Sequence, residues 1–377
     1  MNILYFFTFG YSLKTWNDSG QLNREIKHFT ELHNKNKNLN FTLFTYGDET
    51  DEKFIKSDFI KVVPIYKYIK KSKFKIINFY KSFFITSIIR NLKLENSDTI
   101  IQNQLLGSWV SYRFKKQLKI PLIIRTGYDM YEFSIHENKN YLKRLFFKYL
   151  TNLSLRFSDI YSVTSKCDKE FLLNNFKKID NSKIIIRPNW VELNNSSEQV
   201  ENKKRNTKKI VSVGRLEFQK NYSSVIKALE GTDYELDIFG DGSLKYNLTK
   251  EAKKLNVKVN FLGVVDNKDL VKLLRNYKFY ISSSIFEGNP KSILEAMSAG
   301  CVIIASDIKN HTEFLNEENA LLFNNHDGSL KTLLHNLNVD EEKLNNLTNS
   351  SIKTLKSLYN LDSLVENEIS DILELTS

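Results

Sequence analysis

The sequence predicts an α/β protein made of two doubly wound domains, and three observations carry that prediction. Short apolar runs of strand length alternate with helix-length amphipathic segments along most of the chain. The alternation stops in a polar stretch rich in Asn, Ser, Glu and Lys, from Asn194 to Lys209, and then restarts. At 377 residues the chain exceeds the usual size of one core. Together these set domains at residues 1–190 and 208–355, a linker at 191–207, and a terminal helical segment at 356–377.

Asn2 to Thr8 reads as the first strand, Asp18 to Lys35 as a helix that begins near Gly20, and Phe41 to Tyr46 as the second strand. Thr99 to Gln102 and Pro121 to Arg125 are further short strands with helical material between them. Ile160 to Ser165 and Lys183 to Arg187 complete the first unit. Beyond the linker, strand Lys209 to Val213 precedes helix Asn221 to Leu229, and strand Glu235 to Phe239 precedes helix Leu244 to Leu255. Strand Val257 to Leu262 precedes helix Lys268 to Asn276, and strand Phe279 to Ser283 leads into the most informative stretch of the chain. Parallel strands joined by helices place ligands at their carboxyl ends, where every motif of this half falls.

Composition narrows the class. Hydrophobic residues make up 41%, ample for packed cores. Two cysteines, Cys167 and Cys301, make no disulfide framework and fit a reducing cytosol. Met1 to Gly10 is apolar but lacks a basic lead, so it reads as a strand and not a signal peptide. No run approaches the roughly 20 apolar residues of a membrane span. A soluble or peripheral protein is expected, on the cytoplasmic side of the cell membrane.

The net charge is +11, and it is unevenly spread. Tyr66 to Lys93 carries Lys67, Lys70, Lys71, Lys73, Lys75, Lys81, Arg90 and Lys93 with no acid, interleaved with Phe74, Ile76, Ile77, Phe79, Phe83, Phe84 and Ile85. Lys139 to Arg156 repeats the pattern with Lys143, Arg144, Phe146, Phe147, Lys148 and Tyr149. Such stretches suit an anionic membrane surface, and phosphate backbones attract the same charge. A chain rich in Lys and Asn throughout is the third reading. No nucleic-acid motif accompanies the charge, so a nucleic-acid partner is not expected.

The stretch Glu287-Gly-Asn-Pro-Lys-Ser-Ile-Leu-Glu295 sets two carboxylates around a helix start. Asn289 suits the N-cap, Pro290 the first helical position, and Gly300 the C′ position before the apolar run Cys301 to Ala305. The first amides, on Lys291 and Ser292, make a phosphate site between the two glutamates. Taken alone, the pair also fits a capped surface helix with two solvated carboxylates. Three strand-end motifs accompany it. Arg215 and Lys220, in Val213-Gly-Arg-Leu-Glu-Phe-Gln-Lys-Asn221, offer positive charge to a departing diphosphate, or are ordinary surface bases. Phe239-Gly-Asp-Gly-Ser243 is a glycine turn without the third glycine of a dinucleotide fingerprint. Phe261-Leu-Gly-Val-Val-Asp266 is a turn able to offer backbone groups to a base.

These segments together resemble the family 4 (group 1) retaining glycosyltransferases. The resemblance rests on Gly214-Arg-Leu216, Lys220-Asn221, Gly240-Asp-Gly242, Phe261-Leu-Gly263 and the run Glu287 to Gly300. In the first half it rests on Trp16 to Glu25 with Gly20, and on Arg187-Pro-Asn-Trp-Val-Glu192. It implies the GT-B fold, two Rossmann-like domains facing a cleft, with the end of Asp340 to Ser377 crossing back to the first domain. It implies that Arg215 and Lys220 bind the donor diphosphate and that Glu287 contacts the donor sugar. It further implies that Glu295 holds the ribose, that the backbone of Lys291 and Ser292 contacts phosphate, and that Val265 lies at the base. Gly20, Gly214 and Gly240 join this donor set. Many members carry a histidine after the strand equivalent to Pro121 to Ile124, where this chain reads Arg125-Thr-Gly-Tyr-Asp129. Asp129, Tyr128 or Arg125 takes over the polar contact, or Asp129 is a turn residue; His136 lies too far along.

The resemblance implies a retaining, hexosyltransferase-type enzyme that uses a nucleotide diphosphate sugar and needs no metal or other cofactor. Its acceptor would be a saccharide or lipid-linked saccharide of cell-surface polysaccharide or lipopolysaccharide. The alternatives are a non-catalytic GT-B scaffold of a membrane assembly, or another sugar-nucleotide enzyme such as an epimerase or phosphorylase.

Overall fold

A computed structural model describes residues 1–88, 92, 94–191, 205–337 and 340–376, with Ile88 and Lys268 described by backbone only. The chain divides into two compact units, Met1–Arg187 with Asp362–Ser377, and Pro188–Leu361.

The first unit holds a parallel sheet of seven strands: β1 Asn2–Phe6, β2 Asn40–Thr45, β3 Ile60–Pro64, β4 Thr99–Asn103, β5 Leu122–Arg125, β6 Ile160–Val163 and β7 Ile184–Ile186. Their order is β3-β2-β1-β4-β5-β6-β7, so the direction of winding reverses between β1 and β4. In β1, Ile3, Leu4, Tyr5 and Phe6 are all buried, because helices cover both faces of a parallel sheet. The edge strand β3 has no counterpart in the sequence reading. Its Ile-Lys-Val-Val-Pro run carries a lysine and ends in proline, which a sheet tolerates at its margin.

A short helix absent from the sequence reading, Leu13–Asp18, precedes the expected one, which forms as Leu22–Lys35 and so begins near Gly20. Ser12 accepts a hydrogen bond from the Thr15 amide at 3.1 Å and opens the first. Gly20, at φ +70°, turns the chain into the second.

The second unit holds six parallel strands: β8 Asn206–Val213, β9 Glu235–Phe239, β10 Val259–Gly263, β11 Tyr277–Ser282, β12 Val302–Ser306 and β13 Leu321–Phe323. Their order is β10-β9-β8-β11-β12-β13, and winding reverses between β8 and β11. Ile210, Phe279, Ile281, Val302 and Ile304 pack on one face, whereas Val211, Tyr280, Ile303 and Ala305 pack on the other. The period-two alternation thus feeds two apolar layers, each buried aliphatic side chain contributing about 1.5–3 kcal/mol.

The units part at Arg187 and at Leu361, not at 190 and 355. Asn189 and Val191 bond within the second unit, the Val191 amide to Tyr359 O at 3.3 Å, and Leu344, Leu347 and Leu355 of the Glu341–Leu358 helix enter its core. Most of the expected linker, with Glu192, lies outside the described residues. The final helix, Leu361–Thr376, is held to the first unit by charge. Arg187 makes a two-pronged bond to Asp371, with Nε donating at 2.8 Å. Glu368 meets His28 at 2.7 Å and Arg125 at 3.0 Å in a buried site. Burial would raise the Glu368 carboxyl, but Arg125 and His28 outweigh it and bring it down to about 2.

Candidate active site

Glu287 stands in the loop after β11, almost wholly enclosed, and three partners share its carboxylate. Ser284 Oγ donates to Oε1 at 2.6 Å, Gln219 Nε2 donates to Oε2 at 3.0 Å, and Lys220 Nζ pairs with Oε1. Burial alone would raise this carboxyl; the Lys220 charge, with hydrogen bonds from Lys220 and Ser284, holds it below its ordinary value. It is therefore ionised at neutral pH. Lys220 arrives from the short turn Phe218–Lys220 past the end of β8, and Gly214 gives it room. A Cβ on Gly214 would lie 2.9 Å from Lys220 Cε.

Behind this pair lies a polar column that sequence reading missed. Ser306 Oγ donates to Ser284 O at 2.7 Å, and His311 Nδ1 lies 2.8 Å from Ser306 O. A carbonyl only accepts, so the His311 proton sits on Nδ1. Burial drives this imidazole down to about 4, against the raising influence of Glu287, and keeps it neutral. The column holds Ser284, and through it Glu287.

The helix after Glu287 is Lys291–Ser298, and its N-cap is Pro290, one residue later than expected. Asn289 is occupied elsewhere. Its Oδ1 accepts from the Asn189 amide at 3.0 Å and its carbonyl from Asn189 Nδ2 at 2.6 Å. Lys291 and Ser292 lead the helix, where the first amides have no intrahelical acceptor. Gly300, at φ +74°, follows the C-cap Ala299 as the C′ residue. Glu295, one turn inside, is buried, and Asn267 Nδ2 donates to its Oε1. Asn267 opens the helix Asn267–Leu274 two residues after the half-buried Val265, so Val265, Asn267 and Glu295 share one corner.

Arg215 is exposed and, among the described residues, makes no side-chain hydrogen bond or ion pair. The glycine turn beside it packs tightly. A Cβ on Gly240 would stand 1.9 Å from Gly214 O, and one on Gly242 2.6 Å from Leu216 O. The Ser243 amide donates to Glu217 Oε1 at 3.1 Å, so this turn's donor is already used by protein. Close approach of two strand ends, rather than a phosphate cradle, is what Gly240 serves.

The first unit gives its predicted residues a different character. Asp129 is the N-cap of the Met130–His136 helix, with Oδ1 accepting from the Glu132 amide at 2.8 Å and Oδ2 from Thr151 Oγ1 at 3.2 Å. Burial raises its carboxyl to about 6. The turn reading of Asp129 fits this geometry, and the polar-contact reading does not. Arg125 is engaged by Glu368, while Tyr128 is exposed. Close by, Glu132 is raised to about 8 by burial and by the nearby Asp168 and Asp129. It stands 4.0 Å from His136. Gly20 lies in the inter-helix turn, its amide on Asn17 O at 3.0 Å. Gly20 and Asp129 belong to the first unit, and the remaining predicted residues to the second.

Two doubly wound parallel sheets of this order define the GT-B class, and solved structures agree. A chain of Anabaena Alr3699/HepE in complex with UDP aligns with a TM-score of 0.74 at 13% identity, over 99% of this chain and 100% of that one. Sucrose-phosphate synthase from Thermosynechococcus elongatus aligns with 0.80 at 14%, over 100% and 99%. Residues 194–354 match the family model described as Glycosyl transferases group 1. A Campylobacter jejuni GalNAc-α-(1→4)-GalNAc-α-(1→3)-diNAcBac-PP-undecaprenol α-1,4-N-acetyl-D-galactosaminyltransferase is 29% identical over 68% of this chain and 66% of its own length. A second C. jejuni protein, an N-acetylgalactosamine-N,N′-diacetylbacillosaminyl-diphospho-undecaprenol 4-α-N-acetylgalactosaminyltransferase, is 32% identical over 47% and 49%. The chain thus spans 66% or less of the length of these two curated relatives.

Proposed function

We propose that the protein transfers a sugar, with retention at the anomeric carbon and without a metal, from a nucleotide diphosphate sugar to a lipid-linked saccharide at the inner face of the cell membrane. The observation that carries this reading is the Lys220–Glu287 pair, enclosed at the strand ends of the second unit beside the uncommitted Arg215. Arg215 and Lys220 supply the positive charge that a departing diphosphate develops a need for. Lys220 has three donors, so one remains on Glu287 while others reach phosphate. Glu287, fixed and ionised, accepts hydrogen bonds from the hydroxyls of the transferred sugar. Glu295 and Asn267 suit ribose hydroxyls, the leading amides of Lys291 and Ser292 suit phosphate, and Val265 suits the face of the base. The bond from anomeric carbon to phosphate oxygen breaks, and a bond to the acceptor hydroxyl forms on the same face. The hydroxyl proton passes to the leaving diphosphate, which removes the need for a side-chain base where Asp129 is a cap. The C. jejuni relatives named for undecaprenol-linked saccharides favour a lipid-linked acceptor, and the UDP complex of the HepE chain makes UDP-sugars the first donors to try.

Calorimetry with UDP and GDP, followed by product analysis with an undecaprenyl diphosphate saccharide, tests the reading. Glu287→Gln keeps the size of the side chain but removes its charge and exchanges one acceptor oxygen for an NH2 donor. It should lower transfer by about two to three orders of magnitude and leave nucleotide binding within a few-fold. Near-normal transfer by this variant would sink the assignment.

A further inference from the structure

We infer that the first unit carries a membrane-docking face built by the helices Lys75–Ser82 and Tyr141–Phe157, and that its partner is a bilayer surface containing anionic lipid. Both helices turn an apolar stripe outward, which a face meeting only water does not require. On Tyr141–Phe157, Leu142, Leu145, Phe146 and Tyr149 recur at i, i+3, i+4 and i+7, and all are exposed, Leu142 at 75% and Tyr149 at 63%. The inward side holds Leu150 and Leu155 near its C-terminal end together with hydroxyls, Thr151 on Asp129 at 3.2 Å and Ser154 on Ser108 at 3.0 Å. The other helix does the same. Ile76, Ile77, Tyr80 and, just past its end, Phe84 face outward, whereas Asn78 and Ser82 are buried. Asn78 bonds the backbone of Ser72 twice at 2.8 Å, and Ser82 accepts from Trp109 Nε1 at 2.8 Å. A surface helix ordinarily turns its apolar stripe inward.

The two stripes adjoin. The rings of Phe79 and Phe146 lie 6.4 Å apart, so the two helices touch and their exposed stripes are neighbours on the same unit. Charge selects the occupant. No acid occurs from residue 66 to 87 or from 138 to 157, and Lys70, Lys73, Lys75 and Lys143 make no ion pair among the described residues. Apolar side chains bordered by unpaired lysines suit insertion between anionic headgroups. A second copy of this chain would bring the same positive charge, and the two faces would repel. No described helix is long and apolar enough to cross a membrane, so the contact lies in the interface. The purpose of this face, bringing the first unit to its acceptor, rests on the lipid-linked reading; its physics does not.

Flotation of the full chain with vesicles of phosphatidylcholine, alone or with roughly one-third phosphatidylglycerol, tests the inference. The chain should float with the anionic vesicles, weakly with the neutral ones, and be released by about 0.5 M salt. Lys73→Gln, Lys75→Gln and Lys143→Gln together should lower the partition coefficient by about a hundredfold. A triple exchange of Ile76, Leu142 and Tyr149 to Ser should lower it by at least about tenfold. These side chains are exposed, so both variants should melt with the wild type. Failure of the wild type to float with anionic vesicles would overturn the inference, as would undiminished flotation of the serine variant. So would sedimentation showing dimers that the serine variant abolishes. UDP calorimetry on the same samples separates the two readings. Nucleotide binding without flotation removes only the docking face, and flotation without nucleotide binding removes only the transferase.

Discussion

The strand ends of the two sheets treat charge in opposite ways. In the second unit, the loops after β8 and β11 bring Lys220 and Glu287 together and leave Arg215 unengaged among the described residues. In the first, Arg125 at the end of β5 is neutralised by Glu368, and Asp129 is folded into a helix cap. One set includes an arginine that engages no described partner, while the other is consumed in holding the fold. A charged residue at a strand end is therefore a site only when its partners leave it something to offer.

The largest expected effect comes from Lys220→Ala. It leaves the enclosed Glu287 carboxylate without its cation, which costs about 3–5 kcal/mol in stability besides the lost diphosphate contact. Chemical denaturation should show that loss together with transfer reduced by at least about a thousandfold. A variant of unchanged stability would put the pair in solvent and break the comparison from its catalytic side.

Glu368→Gln tests the structural side, and pH sets its sign. The folded-state carboxyl at about 2 lies below its ordinary value of 4.5, so the ion network contributes stability that is fully present above about pH 4.5 and lost as pH falls toward 2. The difference amounts to about 3 kcal/mol. Acid titration of the wild type should show this loss, and the Gln variant should show a flatter profile with lower stability at neutral pH. Transfer by the folded Gln variant, assayed well below its melting temperature, should fall only a few-fold.

Asp129→Asn should do least. Asn caps as well as Asp, and the raised acidity of Asp129, about 6, means the ionised form is disfavoured on folding. Its contribution is favourable below about pH 4 and disappears as pH rises through 6, so Asn should be neutral or slightly stabilising at pH 7, with transfer within about threefold of wild type. A hundredfold loss would return Asp129 to the chemistry and erase the contrast.

Most of the second unit was legible because its strands are continuous apolar runs and its turns carry glycine, and β9 falls on the expected residues. Glu287, Lys220 and Glu295 were legible as residue types at helix and strand ends. Their partners were not, since Gln219, Ser284, His311 and Asn267 acquire meaning only through contacts between separate loops. The Asn289 cap failed for the same reason: a tertiary partner, Asn189, outcompetes the helix end. Local propensity also missed β3 and the short helix Leu13–Asp18, since an edge strand and a helix of under two turns carry little periodic signal. Gly240 entered the expected donor set only through the resemblance, and the proximity of Gly214 shows that glycine is required there for packing.

The Lys291–Ser298 helix is fastened at both ends by residues that bracket 192–204 in sequence. Asn189 grips Asn289 in front, and Arg205 gathers the carbonyls of Ala299 at 2.7 Å and Gly300 at 2.6 Å behind. A helix stitched at both hems has little freedom left to surrender when phosphate arrives. Nucleotide binding should therefore carry a small entropic penalty from ordering this element, as a mould does when it has set before the casting is poured.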